Sequence, residues 1–182
     1  SELLIGAQSQ IQSLEQKSNQ VFHALVACGA SEQDLEFVSF AIDHADKIVI
    51  ATDAALNCGE LTPGQLFDRG YVPIDGTNPP RFRSRLNSWA DSIWQPMLDA
   101  IASHDPRILA SGCSDSLGYL PTHMSRFSHE PTGDLAHDTQ YGRNGRILLS
   151  DLDRTAKAST EPFFMAVYRH EGDGSHYAVT RN

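Results

Sequence analysis

Cysteine is scarce: Cys28, Cys58 and Cys113 are the only three in 182 residues, an odd number at long separations. That excludes a disulfide framework and a two-cysteine zinc knuckle, and it suits a reducing compartment. No Cys-x-x-Cys-His run is present, which excludes covalent c-type haem. Basic residues are also few, 14 against 23 acidic ones, for a net charge of −9 and a pI near 5.2. Such a chain lacks the electrostatic footprint for phosphate backbones or anionic lipid, so nucleic acid is not expected as a partner. No apolar run approaches the roughly eighteen residues that span a bilayer. The start Ser1-Glu2-Leu3 lacks the basic and apolar stretch of a secretory signal. These features lead to the expectation of a cytoplasmic chain without a membrane span; a fragment of a receptor with a periplasmic sensor would read the same way. Catalytic templates are missing as well: G-x-S-x-G, Walker A, H-E-x-x-H and G-x-G-x-x-G after a strand are all absent. An enzyme is therefore not expected. Cys113 sits beside small residues and reads as a small hydrophobe, not a nucleophile.

What is present is a globular balance, 40% apolar and 20% charged, sized for one domain plus an appended element. The first thirty residues carry a period of seven. Leu4, Ile11, Ser18 and Leu25 form one row, and Ala7, Leu14, Val21 and Cys28 form a second, offset by three. An a/d seam this narrow buries itself best against a copy of itself, so residues 1–30 are expected to form a signalling and dimerisation helix. The competing reading lays that helix on its own domain.

Gly29 interrupts the repeat, and Ser31-Glu32-Gln33-Asp34 has the pattern of an N-cap followed by an acid. Leu35, Val38, Ile42, Ala45 and Val49 mark the expected buried stripe of a second helix, ended by Asn57-Cys58-Gly59. Thr62-Pro63 reads as N-cap and first helical residue of a short turn. The Gly- and Pro-rich stretch 70–80 is expected as a loop. Phe82, Leu86, Trp89, Ile93, Met97 and Ile101 recur at helical spacing, with a kink expected at Pro96. Residues 107–123 read as a hairpin around Ser114-Asp115-Ser116, and short helical pieces are expected at 135–140 and 147–152. A second hairpin, Phe163–Arg169 and His176–Thr180 around Glu171-Gly172-Asp173-Gly174, closes the chain. Helices followed by segregated strands point to an α+β fold with an antiparallel sheet covered by helices. The unpaired edge of the last strand leads to the expectation of a fifth strand beyond Asn182, or of a covering partner chain.

Among candidate ligands for a metal, His123, His129 and His137 accompany Asp134 and Asp138, but helical spacing separates the imidazoles, and a solvated polar loop is the preferred reading. A second constellation, Tyr119, His123, Asn144, Arg146, Glu161, Tyr168 and Arg169, is set among Leu120, Phe127, Ile147, Phe163, Phe164 and Val167. Apolar walls with a few orienting polar groups are the composition of a small-molecule pocket.

These same residues carry a resemblance. Gly118-Tyr119-Leu120-Pro121-Thr122-His123, Phe127-Ser128, Thr132-Gly133-Asp134, Arg143-Asn144-Gly145-Arg146-Ile147, Glu161-Pro162-Phe163 and Val167-Tyr168-Arg169 resemble the PAS/Cache-like sensor region of bacterial methyl-accepting chemotaxis proteins. Leu66-Phe67-Asp68, Tyr71-Val72-Pro73-Ile74 and Gly76-Thr77-Asn78-Pro79-Pro80 are similar to the segment preceding that region. Met124 stands where the family has Asn, and Leu148 where it has an aromatic residue. The resemblance implies a ligand-sensing domain over residues 31–182, of PAS-like fold and lacking a final strand, coupled through the dimeric helix to the signalling domain of the same receptor. It implies a ligand site at Tyr119, His123, Asn144, Arg146, Tyr168 and Arg169. The cofactor is left open. One alternative is a haem b sensor of gas or redox state with His123 as axial ligand; another is a dimerisation module that binds no ligand.

Overall fold

Gly29 and Ser31 separate two long helices, as the capping pattern predicts. Gly29 adopts a φ of +82°, and the Asp34 amide donates to Ser31 Oγ at 3.4 Å. The computed structural model describes residues 2–169 and 175–180, of which 2, 3, 168, 169 and 175–178 are described by backbone alone. In chain order the elements are α1 (Glu2–Ala27), α2 (Glu32–Cys58), α3 (Pro63–Leu66), β1 (Val72–Pro73), β2 (Phe82–Arg83), α4 (Asn87–His104), α5 (Leu135–Tyr141), α6 (Asp151–Ala158), β3 (Phe164–Arg169) and β4 (Ser175–Thr180). The turn expected at Glu171 to Gly174 lies outside the described residues. Mixed helix and sheet makes the fold roughly α+β, with two antiparallel two-stranded sheets, β1–β2 and β3–β4. Among the described residues no helix is long and apolar enough to cross a membrane.

The chain divides into two compact units, one formed by 1–45 with 151–182 and the other by 46–150.

In the first unit, β3 and β4 pair from Phe164↔Thr180 to Arg169↔Ser175, the closing hairpin read from the sequence. Val26, Val38 and Met165 form the core, with Phe22, Leu35, Ile42, Phe163 and Val179 packed against it. The α1 face that meets β3 was not foreseen: Val167 donates its amide to Asn19 Oδ1 at 3.0 Å and Met165 to His23 Nδ1 at 3.4 Å. The heptad stripe lies roughly a third of a turn away from that face on a helix of 3.6 residues per turn. It stays in solvent: Leu4 is 71%, Leu14 70% and Val21 61% exposed. The competing reading, a helix laid on its own domain, thus describes one face of α1; the heptad stripe on the other face is exposed.

In the second unit, Ala55, Leu61, Leu86, Trp89, Ala90 and Trp94 form the core, joined by Ile48, Leu56, Leu66, Ile93 and Cys113. Cys113 is thus packed as a small hydrophobe. Val49, expected on the buried stripe of α2, is exposed. Trp94 donates Nε1–H to Thr52 Oγ1 at 3.0 Å. The Trp89 indole N–H has no such acceptor among the described residues, and its ring meets Trp94 edge-on at 80°. Thr62 caps α3 reciprocally with Gln65, and Gly59 ends α2 at φ +79°.

Further expectations are corrected: the helical piece expected at 147–152 starts only at Asp151, as Ile147 bridges to Tyr119. Phe82 does not open α4; it lies in β2, and the helix starts at Asn87. The hairpin expected over 107–123 forms no ladder. The amides of Leu117 and Tyr119 turn inward onto Asp115 Oδ1 at 2.9 Å each, and Tyr119 bridges instead to Ile147. A short polar turn rich in Ser and Asp satisfies its own backbone locally, which removes the drive to pair with a neighbouring strand. Gly118, at φ +82°, is required at that bridge, because a Cβ there would lie 2.4 Å from the Leu148 carbonyl oxygen.

Candidate functional site

The β1–β2 turn sets Arg81 in place. Ile74 donates its amide to the Arg81 carbonyl at 2.9 Å, and the Arg81 amide donates to Thr77 Oγ1 at 3.0 Å. The guanidinium is then anchored on neutral oxygens only. Nε donates to the Asn144 carbonyl at 2.9 Å, Nη2 to Asn144 Oδ1 at 2.6 Å, and Nη1 to the His129 carbonyl at 3.2 Å. Arg81 is 8% exposed, and among the described residues no carboxylate pairs with it. The turn that carries Asn144 docks on β2 through the Phe82 amide, which donates to the Gly145 carbonyl at 2.7 Å. Gly145 has φ +75°, and a Cβ there would lie 2.6 Å from the Phe82 carbonyl oxygen. Only glycine fits that approach without moving backbone.

Asn87 ties the start of α4 to the same frame. Its Oδ1 accepts from the Ser84 amide at 2.7 Å, Ser84 Oγ at 3.0 Å and the Tyr119 hydroxyl at 2.7 Å, while Nδ2 donates to the Pro121 carbonyl at 2.8 Å. Between these parts lies a polar cleft of about 380 Å³. Arg81, Ser84, Asn87 and Asn144 form its fixed side, and Arg83, Ser88, Asp91 and Glu130 supply exposed polar groups. A neighbouring depression bounded by Thr77, Pro79, Pro131 and Asp138 has no room for a water molecule.

The expected site residues separate. Asn144 lines the cleft. Tyr119 stands behind it, 2% exposed, its ring stacked on Tyr71 with centroids 4.4 Å apart; burial pushes the Tyr119 phenol up from its usual range. The Tyr71 hydroxyl donates to Asp115, and burial first and that carboxylate second raise the Tyr71 phenol strongly. Arg146 is half-buried with Nη1 donating to the Thr139 carbonyl at 3.1 Å, and burial lowers its pKa. It does not line the cleft. Tyr168 and Arg169 belong to β3 in the first unit, and their side chains lie outside the described residues.

His123 is buried in packing, not in the cleft. Its ring meets Phe127 edge-on with centroids 5.2 Å apart, and Nδ1 accepts the Met124 amide at 2.8 Å. Burial, helped by the nearby Arg143 and Arg126 charges, lowers its pKa from 6.5 to about 4. A neutral ring that accepts at Nδ1 carries its proton on Nε2, so neither nitrogen offers a lone pair for iron. The setting of His123 does not fit an axial haem ligand.

His129 and His137 pack within their own segment. Asp134 caps α5 by accepting the amides of Ala136 at 2.8 Å and His137 at 3.1 Å. Asp138 accepts the amides of Thr132 and Gly133, the Thr132 hydroxyl and His137 Nδ1. Those donors, the Thr132 amide foremost, hold its carboxyl far below the usual range. His129 and Tyr141 stack at 5.2 Å. Among the described residues no three His, Cys, Asp or Glu side chains are placed to hold a metal ion.

Sequence reasoning missed Arg81, Arg83 and Asn87. Arg81, Arg83 and Arg85 alternate directly after a Pro-rich loop, which is a strand period, and Ser84 with Asn87 has the spacing of a helix-start pair. The apolar spacing of Phe82 and Leu86 hid both signals. No protein-family model matches the chain, and no curated protein or solved structure does.

Proposed function

We propose that the chain is the ligand-sensing module of a dimeric signalling protein, of the kind the chemotaxis-receptor resemblance implies. The observation that carries this reading is the polar cleft of about 380 Å³, large enough for a small metabolite. Its walls are held by backbone bonds and by the Asn87 and Asn144 side chains, so its polar groups are oriented before a guest arrives, which lowers the ordering cost of binding. The dimer half of the proposal rests on α1, whose seven-residue stripe is exposed at Leu4, Ile11, Leu14, Val21 and Leu25. In this reading the β3–β4 ribbon is the chain's part of a PAS-like sheet; among the described residues neither of its outer edges is paired. A guest alters signalling through its different affinity for two states of α1 pairing.

The exposed stripe by itself favours a second reading, a dimerisation module with no ligand. A thermal-shift screen of the full chain against small polar metabolites, run beside sedimentation equilibrium, separates the two. Sensing predicts a dimer and compounds that raise Tm by several degrees, with the gain reduced in Arg83→Ala while Tm without compound is unchanged. A blank screen on an intact dimer would leave only the second reading.

A further inference from the structure

The side of the cleft held by Arg81 carries a buried cation that has no counterion among the described residues. A desolvated guanidinium costs on the order of several kcal/mol unless an anion or a full set of acceptors meets it. Three of its five N–H donors are engaged, all on neutral oxygens, so one N–H on each of Nη1 and Nη2 lacks an acceptor among the described residues. The second, independent feature is the start of α4, whose first two residues, Asn87 and Ser88, line the same cleft. No side chain caps this helix, and the amides of Ser88 and Trp89 find no acceptor among the described residues. The first turn of an eighteen-residue helix gathers partial positive charge. Arg83 adds an exposed guanidinium that has no partner among the described residues.

We propose that the cleft takes a small monocarboxylate, its carboxylate resting on the Arg81 guanidinium and the start of α4. This deepens the sensor reading and rests on it. The planar fork of arginine matches a carboxylate or a phosphate; the rest of the lining selects between them. Asp91 and Glu130 are exposed cleft carboxylates. They repel a second negative charge on the guest, so one charge satisfies Arg81 and a dianion meets like charge.

The test is amide NMR on the full chain titrated with sodium propionate, with propionamide as its neutral isostere, and with succinate, inorganic phosphate, glycerol and sodium chloride at matched ionic strength. The proposal predicts saturable shifts of the Ser88 and Trp89 amides with propionate. It predicts binding at least tenfold weaker for propionamide, succinate and phosphate, and a three- to tenfold weaker propionate affinity in Arg83→Gln, a fold-change of about 0.7–1.4 kcal/mol. Arg81→Gln, confirmed folded by its amide spectrum, abolishes the shifts; should it not fold, Arg83→Gln carries the test. Equal binding of propionamide, tighter binding of phosphate, or the same shifts with chloride overturns the carboxylate assignment. Shifts at the cleft with glycerol alone overturn it too, while leaving the sensor reading standing. Silence of the cleft toward every probe overturns both.

Discussion

At His123 one hydrogen bond decides the chemistry. Because Nδ1 accepts the Met124 amide, protonation of the ring breaks that bond and places a charge in a buried, apolar setting beside two arginines. The folded pKa of about 4 lies below the ordinary 6.5, so the unfolded chain binds the proton more readily. The stability tied to the neutral ring is fully present above pH 6.5 and is lost as pH falls from 6.5 toward 4. The loss amounts to about 3 kcal/mol over that window. His123→Asn keeps an acceptor for the Met124 amide without a titrating group. Denaturant unfolding at pH 7 and pH 4 therefore shows a loss about 3 kcal/mol smaller in the variant than in the parent chain; equal losses would show that His123 is not the titrating group. The role of His123 was invisible in the sequence, since a histidine inside Gly-Tyr-Leu-Pro-Thr-His reads equally as ligand and as packing. Asn144 was named in the sequence only as a member of a polar constellation and of the resemblance; its partner Arg81 lies 63 residues away, and no local pattern links the two.

Among the elements, those bounded by local chemistry were legible. Ser31, Gly59 and Thr62-Pro63 mark helix ends because caps and left-handed residues satisfy terminal backbone groups within a few positions. The closing strand pair was legible for the same reason, as β-branched and aromatic residues flank a Gly-rich segment. The residues 107–123 misled because a short alternating run becomes a ladder only if a partner strand is near, and Tyr119 finds Ile147 instead. Helix α1 has one packed face and one exposed apolar stripe. Phe22 and Val26 join the core of the first unit, whereas Leu14 is 70% exposed on the heptad stripe. Leu14→Glu should thus leave the monomer fold intact and raise the dimer dissociation constant at least a hundredfold, since two buried charges would face each other across a parallel seam. Sedimentation equilibrium with circular dichroism checks this: a variant that stays dimeric at micromolar concentration would remove α1 as the pairing element.

On the scale of the whole molecule, the chain has a helix with an exposed heptad stripe in one unit and a polar cleft in the other, and α2 contributes residues to both units. The receptor reading needs these parts to communicate, so that a guest in the cleft biases one arrangement of the α1 pair. The most direct measurement places a cysteine in the seam, Ser18→Cys in a Cys28→Ser, Cys58→Ser background, and follows the rate of disulfide crosslinking between protomers. Crosslinking should be rapid, its rate should change severalfold at saturating propionate, and the propionate concentration giving half that change should be three- to tenfold higher in Arg83→Gln. An identical rate with and without a bound guest, or no crosslinking between protomers at all, would contradict the account.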